Sequence, residues 1–138
     1  MTPAWLTKTP VAHRGLHDTA AGIPENSMAA FKAAIDGGYA FELDVRLSRD
    51  GVAIVFHDQK LKRLTGRDGT LEEHTRAELA AMHLHRTAET IPSLAEVLAV
   101  TDRRAPVLVE VKAYGFEPVG PLEQATADAL DGYQGPFA

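Results

Sequence analysis

Four apolar segments of the chain carry ionisable side chains at their edges or within them, which restricts the folds that the chain can adopt. The charged motifs are His13-Arg14-Gly15, Glu42-Leu43-Asp44, His57-Asp58 and Glu110-Val111-Lys112. A charge that is buried without a partner is so unfavourable that the group normally becomes neutral or binds a counter-ion. Three carboxylates and two imidazoles that come from separate strands therefore indicate one shared polar site, in which a divalent metal would offset the carboxylate charge.

The residue patterns predict strands that alternate with helices. The predicted strands cover residues 10–13, 41–47, 52–56 and 107–112, and residues 136–138 begin another. The predicted helices cover residues 27–36 and 122–130, and two more begin at the capping-box sequences of residues 75–78 and 93–96. We expect the strands at 41–47 and 52–56 to pair as a hairpin, segment 61–74 to be irregular, and His83 and His85 to lie on the surface at a helix end.

This alternation has a direct consequence for the fold class. Strands separated by helices form βαβ units and a parallel sheet, which is either an open doubly wound sheet or a closed barrel. In a TIM-type (β/α)8 barrel, polar residues at the carboxyl ends of the strands form the active site. Because the ionisable residues lie late in their strands, the sequence favours an α/β barrel.

Composition limits the class of protein. The chain has 138 residues, no Cys and a formal net charge of −5, so we expect one domain over residues 1–138 and, from its charge, no nucleic-acid partner. Its apolar runs are shorter than the ~18–20 residues that span a bilayer, and its start lacks the apolar core of a secretory signal. The absence of Cys fits a reducing compartment, and we expect a cytoplasmic location.

The carboxylates fall on shared strand faces. Glu42 and Asp44 are two residues apart and point to the same side of a strand, while Phe41, Leu43 and Val45 point to the other. A hard divalent cation would remove the repulsion between the two carboxylates. The alternative for an isolated pair of this kind is the exposed face of an edge strand.

Glu110 repeats this arrangement, with Lys112 on the same face. It is a candidate third ligand, and the alternative is a structural pair between Glu110 and Lys112. His13 and His57 are candidates for proton transfer near neutral pH, although each alone is compatible with a structural role. Asp58 is not expected to pair with His57, because neighbouring side chains in a strand point apart.

Arg14 and Glu25 complete the candidate site. Arg14 stands beside Gly15 at a turn, where a guanidinium suits a phosphate. Glu25 lies in the segment Pro24-Glu25-Asn26-Ser27, which reads as a helix start capped by Asn26 or Ser27. Glu25 could equally face the site.

The order of the motifs points to one family. The motifs are H-R-G at 13–15, P-E-N-S at 24–27, E-x-D at 42–44, H-D at 57–58, T-G at 65–66, I-P-S-L-x-E-V-L at 91–98 and E-V-K at 110–112. This order resembles the glycerophosphodiester phosphodiesterase family over residues 11–112.

The resemblance implies a metal-dependent phosphodiesterase on a TIM-type barrel, with Glu42, Asp44 and Glu110 as ligands of Mg²⁺ or Ca²⁺. His13 and His57 match the catalytic acid–base pair, Arg14 the phosphate contact, and Glu25 and Lys112 supporting positions. The implied substrates are small glycerophosphodiesters such as glycerophosphocholine, cleaved to glycerol 3-phosphate and an alcohol. In the implied mechanism a glycerol hydroxyl attacks phosphorus and water then opens the cyclic phosphate.

The chain is shorter than the barrel that the resemblance implies. Barrels of this type have about 200 residues or more, so we expect these 138 residues to hold roughly the first half of the barrel. Two alternatives remain, a phospholipase D-like lipid-cleaving enzyme of the same superfamily and an inactive fragment that self-associates. Because half a barrel exposes sheet edges and apolar surface, we also expect either a homo-oligomer through the exposed half-barrel or a fragment of low stability and little activity.

Overall fold

The structure, a computed structural model, describes residues 2–113 and 119–138. Its strands are β1 (Val11–Ala12), β2 (Ala40–Leu47), β3 (Ala53–Val55) and β4 (Val107–Val111). Its α-helices are α1 (Trp5–Lys8), α2 (Met28–Asp36), α3 (Lys62–Thr65), α4 (Arg76–Ala80), α5 (Leu94–Thr101) and α6 (Pro121–Leu130), with 3₁₀ turns at Thr19–Ala21 and Leu71–Glu73.

The sheet is centred on β2. Strand β2 runs parallel to β1, with Val11 opposite Ala40, and parallel to β4, with Asp44 opposite Glu110. Beyond β4, Phe137 forms a parallel bridge with Val107. The strand predicted to begin at 136–138 is therefore present as a single bridge. Four segments of parallel backbone therefore lie side by side in the order in which the chain supplies them.

The predicted hairpin is confirmed, although its second strand is shorter than expected. Strand β3 is antiparallel to β2, with Val45 opposite Val55 and Leu47 opposite Ala53. Strand β3 therefore pairs with the carboxyl-terminal end of β2.

One face of the sheet packs on the helices. Phe41, Leu43 and Val45 are fully buried, in one cluster with Phe31 of α2 and Val97 of α5. The rings of Phe31 and Phe41 lie 4.8 Å apart. The apolar set of β2 thus faces the helices as predicted, which directs Glu42 and Asp44 to the opposite face.

The helix starts follow the predicted caps. The side chains of Ser27, Thr75 and Ser93 each accept a hydrogen bond from the backbone N–H three residues on. Glu78 and Glu96 close the capping boxes of α4 and α5. The cap of α2 is Ser27, which leaves the neighbouring Asn26 for another role.

Segment 61–74 is more ordered than predicted. It contains α3 and a 3₁₀ turn, and its leucines pack in a second apolar cluster with Ile54 and Phe56. Elements this short bury side chains without a helical repeat in the sequence, so periodicity misses them. His83 and His85 follow the end of α4 instead of lying within a helix, and His83 bridges to Thr90.

In the described part of the chain, no helix is long and apolar enough to cross a membrane.

Candidate active site

Strands β2 and β4 bring three carboxylates together. Glu42 and Asp44 lie on one face of β2, and the parallel register places Glu110 beside Asp44. One carboxylate oxygen from each residue lies within 4.8 Å of the other two. Glu42 and Asp44 are buried and Glu110 is exposed. We call Glu42, Asp44 and Glu110 the acidic cluster.

The surroundings of Glu42 oppose its charge. Burial raises the pKa of this carboxyl to about 6, and the nearby charges of Asp44 and Glu110 add to the effect. The backbone N–H of Arg14, 2.9 Å from Oε2, offsets part of it. Oε1 is buried and has no hydrogen-bond partner among the described residues. A buried carboxylate oxygen of this kind is suited to a cation.

Asp44 lies at the centre of the site. It is fully buried, and its Oδ2 accepts a hydrogen bond of 2.9 Å from Nδ2 of Asn26. The Arg14 Nε lies 3.4 Å from the same oxygen, and the Lys112 Nζ lies 3.4 Å from Oδ1. Two cations and one amide therefore surround this carboxylate.

Asn26 is a site residue that the sequence analysis assigned only to a helix cap. Its side chain is 1% exposed, and its backbone takes the left-handed conformation at φ 52°. Asparagine adopts this conformation more readily than most residues. Its backbone N–H donates to the carbonyl of Arg14 at 2.9 Å, which joins the loop before α2 to the end of β1.

Arg14 is held by carboxylates on two elements. Its Nη1 donates to Oε1 of Glu25 at 2.9 Å, so Glu25 does face the site. The next residue, Gly15, has φ +77°, and a Cβ there would lie 2.7 Å from the Cβ of Ala30. Only glycine lets the loop pass this close to α2, and this passage places Arg14 over Asp44.

Lys112 extends the site beyond β4. Its Nζ donates to Oε1 of Glu110 at 2.5 Å. This hydrogen bond raises the pKa of Lys112 and lowers that of Glu110. The pair that the sequence offered as an alternative to a ligand role is therefore present, but it is directed at the acidic cluster because Lys112 also reaches Asp44.

The two candidate histidines lie near different members of the acidic cluster. The His13 side chain is 68% exposed, and its Nε2 lies 3.9 Å from Oε2 of Glu42. His57 lies on the side of Glu110, close enough for a charge on its ring to lower the pKa of Glu110.

The expectation that His57 and Asp58 point apart is wrong. Nδ1 of His57 lies 2.7 Å from Oδ1 of Asp58. Strand β3 ends at Val55, so His57 stands in a bend where the alternation of a strand no longer applies. The carbonyl of His57 also accepts a hydrogen bond of 2.6 Å from Nε of Arg46.

Arg63 is a second residue that sequence reasoning missed. It donates to Asp58 through Nε at 2.7 Å and Nη2 at 2.9 Å, and to Glu25 through Nη1 at 3.0 Å and Nη2 at 2.8 Å. The bonds from Arg63 to Asp58 are the main reason that the pKa of Asp58 lies well below its usual range. Burial alone would raise the pKa of Glu25, but Arg63 and Arg14 together lower it.

A cavity of about 510 Å³ opens beside these residues. It is lined by six polar side chains: Arg46, His57, Asp58, Gln59, Lys60 and Lys112.

Comparison with known proteins gives the site its context. Residues 13–131 match the sequence profile of the glycerophosphoryl diester phosphodiesterase family. The chain belongs to this family. It is similar to the glycerophosphodiester phosphodiesterase of Bacillus altitudinis, with 36% identity over 73% of the chain and 43% of that protein. A probable glycerophosphodiester phosphodiesterase 2 of Mycobacterium tuberculosis is also 36% identical, over 85% of the chain and 44% of that protein.

Solved structures of the family share the fold. A phosphodiesterase from Oleispira antarctica, determined in complex with the product sn-glycerol-3-phosphate, is 29% identical with a TM-score of 0.80. The alignment covers 96% of this chain and 57% of that one. A glycerophosphodiester phosphodiesterase from Thermotoga maritima is 32% identical with a TM-score of 0.75, over 94% of this chain and 53% of that one.

These alignments also bear on the fold class. The chain spans less than half the length of the curated relatives named above and slightly more than half of the two solved chains. The predicted fold class, a TIM-type (β/α)8 barrel represented by roughly its first half, is therefore confirmed.

Proposed function

We propose that this chain carries the metal- and histidine-bearing part of a phosphodiesterase that cleaves glycerophosphodiesters to glycerol 3-phosphate and an alcohol. The observation that carries this proposal is the convergence of three carboxylates within 4.8 Å, beside two cationic side chains and close to two histidines. Family membership supports the reaction class.

The donor set fits a hard divalent cation. Glu42, Asp44 and Glu110 offer only oxygen ligands, which Mg²⁺ and Ca²⁺ prefer. The buried Oε1 of Glu42, without a hydrogen-bond partner in the described chain, is suited to such an ion. When bound there, the ion would stabilise negative charge on the phosphoryl oxygens.

Arg14 and Lys112 would bind the phosphate. Each cation has a nitrogen 3.4 Å from an oxygen of Asp44, so an anion bound at the acidic cluster would meet both positive charges. Nε of Arg14 is buried and forms an ion pair with Asp44 at 3.4 Å, but it makes no hydrogen bond in the described chain. A planar guanidinium donates well to two phosphoryl oxygens, and Lys112 supplies a second positive charge.

His13 and His57 would exchange the protons of the reaction. One imidazole accepts the proton of the glycerol hydroxyl as its oxygen attacks phosphorus, and the other donates a proton to the oxygen of the leaving alcohol. The product of this step is a cyclic glycerophosphate. Water then opens the ring with the two proton transfers reversed, which leaves both imidazoles in their starting states.

The cavity offers positive charge and hydrogen-bond donors to a phosphodiester. Its six lining residues are all of polar types, and Arg46, Lys60 and Lys112 among them are cationic. Family membership supports glycerophosphodiesters as the substrates, and the lipid substrates of a phospholipase D-like enzyme are the alternative.

Product identity tests the proposal. The chain is incubated with glycerophosphocholine or lysophosphatidylcholine, and products are followed by ³¹P NMR with Mg²⁺, with Ca²⁺ and with a chelator. We expect glycerol 3-phosphate from glycerophosphocholine, and loss of turnover with the chelator and in the His57→Ala variant. Turnover of lysophosphatidylcholine alone would support the lipid-cleaving alternative, and no turnover of either would support the inactive fragment.

The cytoplasmic location and self-association through the exposed half-barrel remain predictions. Self-association is supported by the partial exposure of Val111, at 36%, and Phe137, at 42%, on the last two strand segments of the sheet.

A further inference from the structure

Arg63 joins two loops that carry separate parts of the candidate site. Its guanidinium makes two hydrogen bonds to Glu25, which holds Arg14, and two to Asp58, which contacts His57. Arg63 belongs to α3, in the segment that the sequence did not predict to be ordered. The loop before α2 and the loop after β3 are thus connected through one side chain.

The contact with Asp58 determines which nitrogen of His57 carries a proton. An ionised carboxylate only accepts hydrogen bonds, and Asp58, whose pKa the Arg63 fork lowers further, is ionised at neutral pH. Nδ1 of His57, 2.7 Å away, must therefore be the donor. In the neutral ring this leaves Nε2 with the lone pair.

We propose that Asp58 and Arg63 are positioning residues, in which Asp58 fixes His57 as the Nδ1–H tautomer and Arg63 fixes Asp58 relative to Glu25. Nε2 is then the nitrogen of His57 that exchanges protons with the substrate. This inference rests on the proposed function only in taking His57 as a proton-transfer group.

The geometry assigns Arg63 a role beyond stability. Its side chain is 46% exposed, whereas the side chains of its partners Glu25 and Asp58 are 12% and 24% exposed. Whatever they add to the free energy of unfolding, the four hydrogen bonds restrict two carboxylates that each touch a site residue. On the other side of His57, Arg46 holds the backbone carbonyl at 2.6 Å. The imidazole is therefore restrained through its ring and through its own backbone.

The tautomer of His57 tests the role of Asp58 without reference to activity. Long-range ¹H–¹⁵N spectra of the full chain are recorded at a pH at which the imidazole is neutral, and His57→Ala identifies the resonances. We expect a large excess of the Nδ1–H form in the wild type and in Asp68→Ala, a matched control because Asp68 is an exposed partner of Lys62. Asp58→Ala should lose this excess. An Nε2–H wild type, or an unchanged ratio in folded Asp58→Ala, would overturn the proposal.

Arg63→Met provides an independent variant in case Asp58→Ala does not fold. It should shift the tautomer ratio in the same direction by less, because Asp58 keeps its charge but loses its restraint. Arg67→Met, in the same exposed segment, is the control and should leave the ratio unchanged. If Arg63 only stabilises the fold, Arg63→Met will lower the melting temperature and leave the ratio of the folded protein unaltered.

Turnover of glycerophosphocholine adds a second readout. Hydrogen-bond partners of metal-bound His are typically worth about 10–100-fold in activity. We expect a similar fall in kcat in both variants, with a smaller change in KM. Arg63→Lys should recover only part of the rate, because one ammonium cannot reproduce the planar fork. If the wild type turns over no glycerophosphodiester, the proposed function of the chain fails, while the tautomer ratio still decides the roles of Asp58 and Arg63.

Discussion

At the scale of single residues, Glu42 is a carboxyl whose ionisation the surrounding protein opposes. Its pKa of about 6 lies above its usual value of 4.5 because the group is buried beside two other carboxylates. A cation bound by the acidic cluster would reverse this effect. Residues with such perturbed pKa values, placed where a ligand is expected, are typical of functional sites.

Replacing Glu42 with Gln should therefore stabilise the protein at neutral pH in the absence of divalent cations. Between pH 4.5 and 6 the native state binds more protons at Glu42 than the unfolded state, so the contribution of Glu42 to stability falls as pH rises. The advantage of the variant should grow over this window and level off at up to about 2 kcal/mol. Urea unfolding at several pH values measures it.

Glu89→Gln is the control, because Glu89 lies outside the acidic cluster. Added Mg²⁺ should stabilise the wild type more than Glu42→Gln. A variant that is less stable than the wild type at every pH without cation would contradict this account of Glu42.

Replacing His13 or His57 with Ala should lower the rate of glycerophosphodiester hydrolysis by roughly 10²–10⁴-fold. Cation binding, measured by calorimetry, should be nearly unchanged because neither imidazole is part of the acidic cluster. Turnover close to wild type in either variant would remove that histidine from the proton transfers.

At the scale of elements, the site depends on how closely the loop after β1 approaches α2. Gly15 has a left-handed backbone at the point of contact with Ala30. The adjacent Arg14 is also left-handed, at φ 56°, and its N–H and guanidinium contact Glu42, Glu25 and Asp44. The sharp turn therefore allows one residue to contact three carboxylates.

Gly15→Ala should destabilise this turn for two reasons, the left-handed backbone and the contact with Ala30. Gly51→Ala separates these two reasons. Both glycines have φ near +80°, but a Cβ at Gly51 meets no atom within 4 Å. Gly51→Ala should cost only the left-handed backbone, about 1–2 kcal/mol. Gly15→Ala should cost more, because the new Cβ also overlaps Ala30.

Thermal unfolding measures the loss of stability in each variant, and cation affinity measures the effect on the acidic cluster. We expect Gly15→Ala to weaken cation binding and Gly51→Ala to leave it unchanged. Equal destabilisation of the two variants would show that the contact with Ala30 is unimportant.

The sequence predicted those parts of the site that follow the period of a strand. Glu42, Asp44 and Glu110 share a face because side chains alternate along β2 and β4, and the parallel register then aligns Asp44 with Glu110. The capping box of Ser93 was equally predictable because its hydrogen bonds are local, whereas the cap of α2 was left open between Asn26 and Ser27 and is Ser27.

Strand alternation did not predict the contacts that residues make beyond the strand ends. His57 and Asp58 pair because β3 stops at Val55, which local alternation does not indicate. Arg63 donates hydrogen bonds to Glu25, which lies 38 positions away in the chain. Ser27 caps α2, and the side chain of Asn26 is therefore available to donate a hydrogen bond to Asp44. Such contacts depend on tertiary packing, here on the second apolar cluster that positions α3.

At the scale of the whole molecule, the sheet supplies four parallel segments of a barrel wall. Strand β4 becomes progressively more exposed towards its end, from fully buried Val107 to Val111 at 36%, and Phe137 beside it is 42% exposed. Exposed strands with apolar side chains tend to pair with other chains.

We therefore expect the isolated chain to self-associate. Light scattering after size-exclusion chromatography should give a mass above the 14.9 kDa of one chain, rising with concentration. Phe137→Lys should reduce this association, because a charge on an exposed strand opposes pairing. A monomer at all concentrations, with a cooperative unfolding transition, would contradict the prediction.

The central proposal is that the acidic cluster binds a cation close to both His13 and His57, and Mn²⁺ tests it in solution as a paramagnetic probe. Substoichiometric Mn²⁺ added to the chain should broaden the imidazole resonances of both His13 and His57, and excess Mg²⁺ should restore them by competition. In Asp44→Asn, which removes the charge of the buried central carboxylate, the same Mn²⁺ should leave both resonances sharp. Unbroadened His13 and His57 resonances in the wild type, or equal broadening in Asp44→Asn, would show that the cation does not bind at the acidic cluster.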